Sequence, residues 1–134
     1  MADDCIFCAI AERTAPAEVV QADAHTIAFL DINPATRGHT LVIPRHHSAN
    51  LLDVPQADLH RVATMAQAIA GRMPEVLGAD GVNLLNSCGA AAWQTVHHFH
   101  MHVIPRYDDD PLKLPWVPGP PAADELAQIA EELR

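Results

Sequence analysis

A small domain mixing strands and helices is what this sequence predicts, and three observations carry the prediction. Short β-rich runs bounded by turn residues recur at 17–21, 25–30, 38–44 and 82–86. One longer stretch, 55–73, repeats apolar residues at three- and four-residue steps instead. A block near residue 100, His98-Phe99-His100-Met101-His102-Val103, alternates imidazoles with apolar side chains, the period-2 pattern of a half-buried strand.

Length and composition bound the class. A chain of 134 residues suits one domain with room for a core, and its 49% hydrophobic content fits a soluble globular protein. Apolar runs stop well short of the ~18 residues a membrane helix needs, and the opening Met1-Ala2-Asp3-Asp4 is acidic, so neither a transmembrane helix nor a secretory signal is expected. The expected location is the cytoplasm. A formal charge of -9 opposes non-specific binding to nucleic acid or anionic lipid, while leaving room for a local pocket of donors that takes a small anion. Three cysteines are an odd, small set, unlike a disulfide framework.

In chain order, Cys5-Ile6-Phe7-Cys8-Ala9-Ile10-Ala11 reads as a short helix with Ile6, Phe7 and Ile10 on an apolar face. Cys5 and Cys8 stand one turn apart, which suits a shared metal ion, a redox pair or two small buried residues equally. The runs 17–21 and 25–30, separated by Ala22-Asp23-Ala24, predict a hairpin. Asp31-Ile32-Asn33-Pro34 then forms a turn, extended before its proline. Gly38-His39-Thr40-Leu41-Val42-Ile43-Pro44 is a β-branched strand ended by proline. The helix over 55–73 starts at Pro55, carries Leu59, Val62, Ala66, Ile69 and Met73 on one stripe, and is expected to close at Pro74 and Gly78. Asp80-Gly81 turns the chain into the strand 82–86, and the small residues of Ser87-Cys88-Gly89-Ala90-Ala91-Ala92 permit the close backbone approach of a phosphate loop. Cys88 is either a small loop residue or a reactive thiol.

The histidine block follows. On a strand all three imidazoles share one face, about 6.8 Å apart at roughly 3.4 Å per residue, so one small anionic group can touch two. A histidine-rich strand with no chemistry is a poor explanation, because three titratable rings make a poor core. A metal site made by the three rings is the better rival. Beyond it, Asp108-Asp109-Asp110 reads as a solvated turn, a proline-rich stretch through Pro121 holds Trp116, and Leu126, Ile129 and Leu133 predict a final helix within 122–134. Trp116 favours an ordered segment packing near the site over a flexible linker. The expected division is therefore a domain over 1–107 and a C-terminal extension over 108–134 packing on it.

His98-Phe99-His100-Met101-His102-Val103-Ile104, with Gln94 four residues before it, resembles the histidine triad (HIT) motif. Gly38-His39-Thr40-Leu41-Val42-Ile43-Pro44 is similar to a second segment of that family, and Cys5-Ile6-Phe7-Cys8 to the opening of many of its bacterial, Hint-like members. The resemblance runs over roughly residues 5–107. It implies an α+β fold: an antiparallel sheet of about five strands, one long helix and a short N-terminal one, paired as a two-fold homodimer with a joined sheet. It also implies a nucleotide hydrolase in which the middle histidine, His100, attacks the α-phosphorus. His98 and His102 assist, and His39 stands behind the nucleophile. The base of a purine, AMP-type nucleotide would lie among Ile6, Phe7, Ile10, Phe29 and Ile32, with Asp31 on the ribose hydroxyls. Asn86, Gln94, Thr95, His100 and His102 would face the phosphate. Structural Zn2+ would be held by Cys5, Cys8, His47 and His98, with His46 as the neighbouring competitor.

Two places depart from the family pattern: Trp93 stands where many members have glycine, and Asn86 lies three residues before Gly89 rather than two. Within the family the short length and Cys-x-x-Cys opening point to cleavage of nucleoside phosphoramidates. The alternatives are a Fhit-like dinucleoside polyphosphate hydrolase, a zinc-stapled nucleotide-binding interaction module with little catalysis, and a metal-dependent hydrolase using the triad as ligands.

Overall fold

The computed structural model describes residues 4–134; the acidic opening at Met1–Asp3 lies outside them. Five strands form one sheet: β1 (Val19–Ala22), β2 (Thr26–Leu30), β3 (Thr40–Pro44), β4 (Gly81–Leu85) and β5 (Met101–Arg106). Their order is β1-β2-β3-β5-β4 and every pairing is antiparallel. Three helices accompany it, α1 (Ile6–Ala11), α2 (Gln56–Leu77) and α3 (Glu125–Leu133). This is the α+β architecture expected of the sequence. No helix among the described residues is long and apolar enough to cross a membrane.

The sheet separates two cores. Against one face, α2 sets Val62, Met65, Ala66, Ile69 and Met73 on Ala28, Val42, Phe99 and Val103. Against the other, α1 sets Phe7, Ile10 and Ala11 on Ile27, Phe29, Leu41 and Ile43. Strands β2 and β3 supply side chains to both faces, so they read as continuous apolar runs rather than alternating ones. That arrangement hangs α1, with its cysteines, over the face that receives the histidines.

Two local expectations are corrected. Pro74 does not end α2: the helix runs through it to Leu77, and Gly78 in the left-handed region closes it, with its N–H on the Pro74 carbonyl. A proline one turn from a helix end removes a single bond, and packing of Met73 against the sheet keeps the last turn in place. The strand expected from His98 begins only at Met101. His98 and His100 lie in the approach to it, where the backbone N–H of Phe99 goes to the Ser48 carbonyl instead of a strand neighbour.

Gly38 is the one glycine pressed by its surroundings. It has φ +92°, and a Cβ there would lie 2.5 Å from a Leu77 methyl and 3.3 Å from the Pro105 ring. Gly38→Ala is expected to cost about 1–3 kcal/mol, the scale of a residue held in a sparsely allowed backbone region. Urea unfolding checks it: the midpoint should fall with the slope unchanged.

Past β5 the chain is clamped and then released. Arg106 grips Asp110 through Nε and Nη2 at 2.8 and 2.9 Å, which holds the Asp110 carboxyl far below the usual carboxylate range. From Leu112 on, almost every residue is exposed, Trp116 and the three large apolar residues of α3, Leu126, Ile129 and Leu133, included.

Candidate functional site

The expected residues converge on the α1 face of the sheet. His98 is fully buried and His100 nearly so, while His102 is half-buried at the start of β5. Phe7 of α1 meets both His98 and His100 edge-on, with ring centroids 5.9 and 5.1 Å apart, and His100 in turn lies 5.0 Å from His102. The three imidazoles therefore share a face although only one belongs to the strand. Phe99 and Val103 occupy the opposite core, with Met101 packed against it.

Hydrogen bonds assign the imidazole tautomers. His98 donates from Nε2 to the Pro44 carbonyl at 2.8 Å, so its Nδ1 is a bare lone pair. His100 donates from Nδ1 to the carbonyl of His98 at 2.7 Å, so its Nε2 is the bare nitrogen. The Ala35 N–H donates to Nδ1 of His39 at 2.9 Å, which puts the His39 hydrogen on Nε2, and that atom lies 2.9 Å from Nδ1 of His102. His102 then carries its own hydrogen on Nε2. One ring offers a lone pair while its neighbour offers a hydrogen-bond donor. His39 thus stands behind His102 and not directly behind His100.

Burial pushes all four imidazoles toward neutrality. It is the main reason His98 and His102 are lowered to about 4, and it also lowers His39 and His100, against the pull of the Asp31 carboxylate on the latter two. A stability prediction follows for His102. Its ordinary value is 6.5, so between about 6.5 and 4 the unfolded chain binds more protons than the folded one. This contribution is intact above pH 6.5 and is lost as pH falls toward 4. Denaturant titrations across that range should show the loss, and His102→Asn should flatten it.

Cys5, Cys8, His47 and His98 form a second cluster, their ligand atoms all within 4.8 Å of one another. Sγ of Cys5 lies 3.4 Å from Nδ1 of His98, and Sγ of Cys8 lies 3.4 and 3.5 Å from Nδ1 of His47 and His98. Tetrahedral zinc with ordinary Zn–S and Zn–N bonds separates sulfur from nitrogen by about 3.5 Å. The donor set fits, and His98 supplies the usual outer partner by donating its other N–H to a carbonyl. His47, not His46, is the histidine brought to the thiols.

A further trio, Asp31, His39 and His102, also lies within 4.8 Å. Here the tautomers argue against an ion. With Nδ1 of His39 accepting from Ala35, a metal on Nε2 would demand an imidazolate, so this group shares a hydrogen instead.

Other expected residues divide between the surface and the interior. Asp31 is half-buried; one oxygen accepts from the Asn33 N–H at 2.8 Å and the other lies 3.7 Å from Nε2 of His39. It is both turn former and neighbour of the histidines. Ile6 and Ile32 are 51% and 89% exposed, so they can meet a ligand, whereas Phe7, Ile10 and Phe29 are buried beneath. Asn86 donates from Nδ2 to the His100 carbonyl at 2.9 Å and thereby fixes the backbone of the central histidine; its Oδ1 is buried without a partner. Thr95 is exposed and lines a cavity of about 370 Å³ with Cys5, Ile6, His47 and Val96.

Gln94 corrects its expected role. It is buried, its Oε1 accepts from the Gly89 N–H, and its Nε2 donates to the Ala49 and Val96 carbonyls. Both amide hydrogens are used to build the loop, and none faces a phosphate. The loop also places Trp93 at φ +75°, in the left-handed region that favours glycine. The carbonyls of Pro44 and His98, which set two tautomers, left no mark in the sequence, because any residue type carries a carbonyl.

A domain with this sheet, this triad face and this loop is of the HIT class, and residues 12–109 match the model of the HIT domain. The chain belongs to the HIT family. An uncharacterised HIT-like protein of Methanocaldococcus jannaschii is 42% identical over 106 residues, spanning 79% of this chain and 81% of its own. The crystal structure of SMU.412c from Streptococcus mutans is 37% identical, with a TM-score of 0.93 over 99% of this chain and 85% of that one. A Zn-bound histidine triad family protein from Mycobacterium smegmatis is 44% identical, with a TM-score of 0.79 over 87% of this chain and 84% of that one.

Proposed function

We propose that the protein hydrolyses nucleoside phosphoramidates of the AMP-NH2 or AMP-lysine type at the α-phosphorus, through a nucleotidyl intermediate on His100. The observation that carries the reading is the pair of opposed tautomers: a bare Nε2 on His100 beside an Nε2–H on His102. A neutral imidazole with its other nitrogen tied to a carbonyl is a nucleophile ready at pH 7.

Attack by Nε2 of His100 forms a P–N bond while the bond to the leaving amine breaks. The amine takes one proton from solvent as it departs. Water then attacks the same phosphorus, the P–Nε2 bond breaks, AMP leaves and one proton returns to solvent. Because burial holds His102 neutral, it serves as a hydrogen-bond donor to the phosphoryl oxygens rather than as an acid. His39 keeps that donor in its tautomer, and Asn86 with the His98 carbonyl keeps the nucleophile in place. Thr95 and the loop N–H groups are further donors, Asp31 takes the ribose hydroxyls, and the base lies on Ile6 and Ile32 above Phe7, Ile10 and Phe29.

Zinc on Cys5, Cys8, His47 and His98 would be structural, a closed four-ligand site that fastens α1 to the triad. The Zn-bound relative supports that reading. We also infer a homodimer joined through β4, an edge strand carrying Leu84 and Leu85 exposed. AMP release from adenosine phosphoramidate, run in parallel with a diadenosine polyphosphate, tests the substrate class. Preference for the polyphosphate would replace this reading with the Fhit-like one. Binding of AMP without cleavage of either would leave the interaction module.

A further inference from the structure

On the sheet face opposite the histidines, the C-terminal half of α2 and strands β1–β3 leave an apolar cavity of about 350 Å³. Leu30, Ile69, Met73 and Val76 line it, and Arg37 and Arg72 stand at it too. Arg37 donates to the Leu77 carbonyl and Arg72 to the Gln21 side chain, so both are held in place. Neither guanidinium has a carboxylate partner among the described residues. In a chain of net charge -9, an apolar groove flanked by two unmatched cations calls for an acidic amphipathic occupant.

Such an element exists in the chain. Helix α3 carries Leu126, Ile129 and Leu133 at i, i+3 and i+7, with Asp124, Glu125, Glu131 and Glu132 around them. Leu126 is 67% exposed and Leu133 83%. A helix of nine residues is shorter than the ~12–15 at which isolated helices become even marginal in water, so it needs a surface to fold upon. Its own domain does not provide one. Arg106 anchors the start of the extension, yet α3 stands clear of the groove, and the likeness to the Streptococcus mutans crystal structure runs over 99% of this chain.

We propose that α3 of one copy docks in the α2–sheet groove of a second copy, its leucine–isoleucine stripe on Leu30, Ile69, Met73 and Val76 and its carboxylates toward Arg37 and Arg72. Residues 111–124 reach up to about 46 Å when extended, enough to cross a neighbouring domain of this size. The groove is on the face away from the triad, so the inference stands whether or not the catalytic reading does.

Photo-crosslinking of the full chain tests it. A benzophenone side chain at Ile129, 41% exposed and outside both cores, is introduced into normal and 15N-labelled protein, and the two are mixed before irradiation. Adducts joining residue 129 of one isotope to the 69–77 peptide of the other are expected. Arg72→Glu and Val76→Glu, both at solvent-accessible positions, should reduce them at least about tenfold while AMP binding is unchanged. Groove adducts only within one isotope would assign the groove to the same chain's helix and overturn the proposal. So would adducts elsewhere, or none, or yields that ignore the two substitutions.

Discussion

His100→Ala should abolish phosphoramidate turnover, by on the order of 10⁴-fold or more, the scale of losing a group that acts as the nucleophile of a covalent mechanism. The cavity left by the imidazole is small, and Phe7 and His102 remain on either side of it. AMP should therefore still bind with an affinity within about tenfold of the parent, because the donors to the phosphate and the apolar seat of the base are untouched. The diagnostic result is the split: kcat collapses and the dissociation constant of AMP barely moves. A second variant separates attack from orientation. Asn86→Ala removes the donor to the His100 carbonyl but leaves the ring, so it should lower kcat by about ten- to a hundredfold without removing the intermediate, which quenched-flow trapping with labelled substrate would reveal. Turnover surviving in His100→Ala would sink the covalent mechanism whatever the fold.

Chelation of the proposed zinc is expected to give the second large effect. Cys5 at the N-cap of α1 and Cys8 within it reach His47 after β3 and His98 before β5, so an ion held by the four would tie three separate parts of the chain together. An ion present at about a thousand times its dissociation constant stabilises the folded chain by about 4 kcal/mol. For a domain of this size that corresponds to a melting midpoint lower by roughly 15 °C after chelation. Elemental analysis should find one zinc per chain before treatment, and Cys8→Ser should reproduce the loss. Catalysis is coupled to the site at one remove: the His98 ring goes to the thiols and its backbone carbonyl receives the His100 N–H. Turnover should fall severalfold in the metal-free protein yet persist, since no step passes through the ion. Complete and reversible loss of activity on chelation of a still-folded sample would favour the metal-dependent hydrolase instead.

The sequence was most informative where one residue type answers one physical demand. Alternation placed Phe99 and Val103 in one core and the histidines on the other face, although the ladder starts only at Met101. The helical stripe from Leu59 to Met73 located α2 and Gly78 its close, but Pro74 does not end the helix, because packing of Met73 outweighs the missing N–H of Pro74. Residue identity also marked which side chains gather at the site, since imidazoles are costly to bury without a partner.

What the tertiary structure alone decided is how those side chains are used. The tautomers of His98, His100 and His39 depend on the Pro44 and His98 carbonyls and the Ala35 N–H, groups that every residue type shares. Gln94, conspicuous in the motif, spends its amide on the Gly89, Ala49 and Val96 backbone, which only the loop's path could reveal. His47 is distinguished from His46 by the path of the bend after β3 rather than by chemistry, and the left-handed backbone at Trp93 contradicts its residue type. Periodicity and composition determined the faces of the elements and the residues available on them, because burial acts on side chains one by one. Which hydrogen sits on which nitrogen, and which thiol meets which imidazole, was decided by contacts between segments up to 93 residues apart, and those are set by the closed fold.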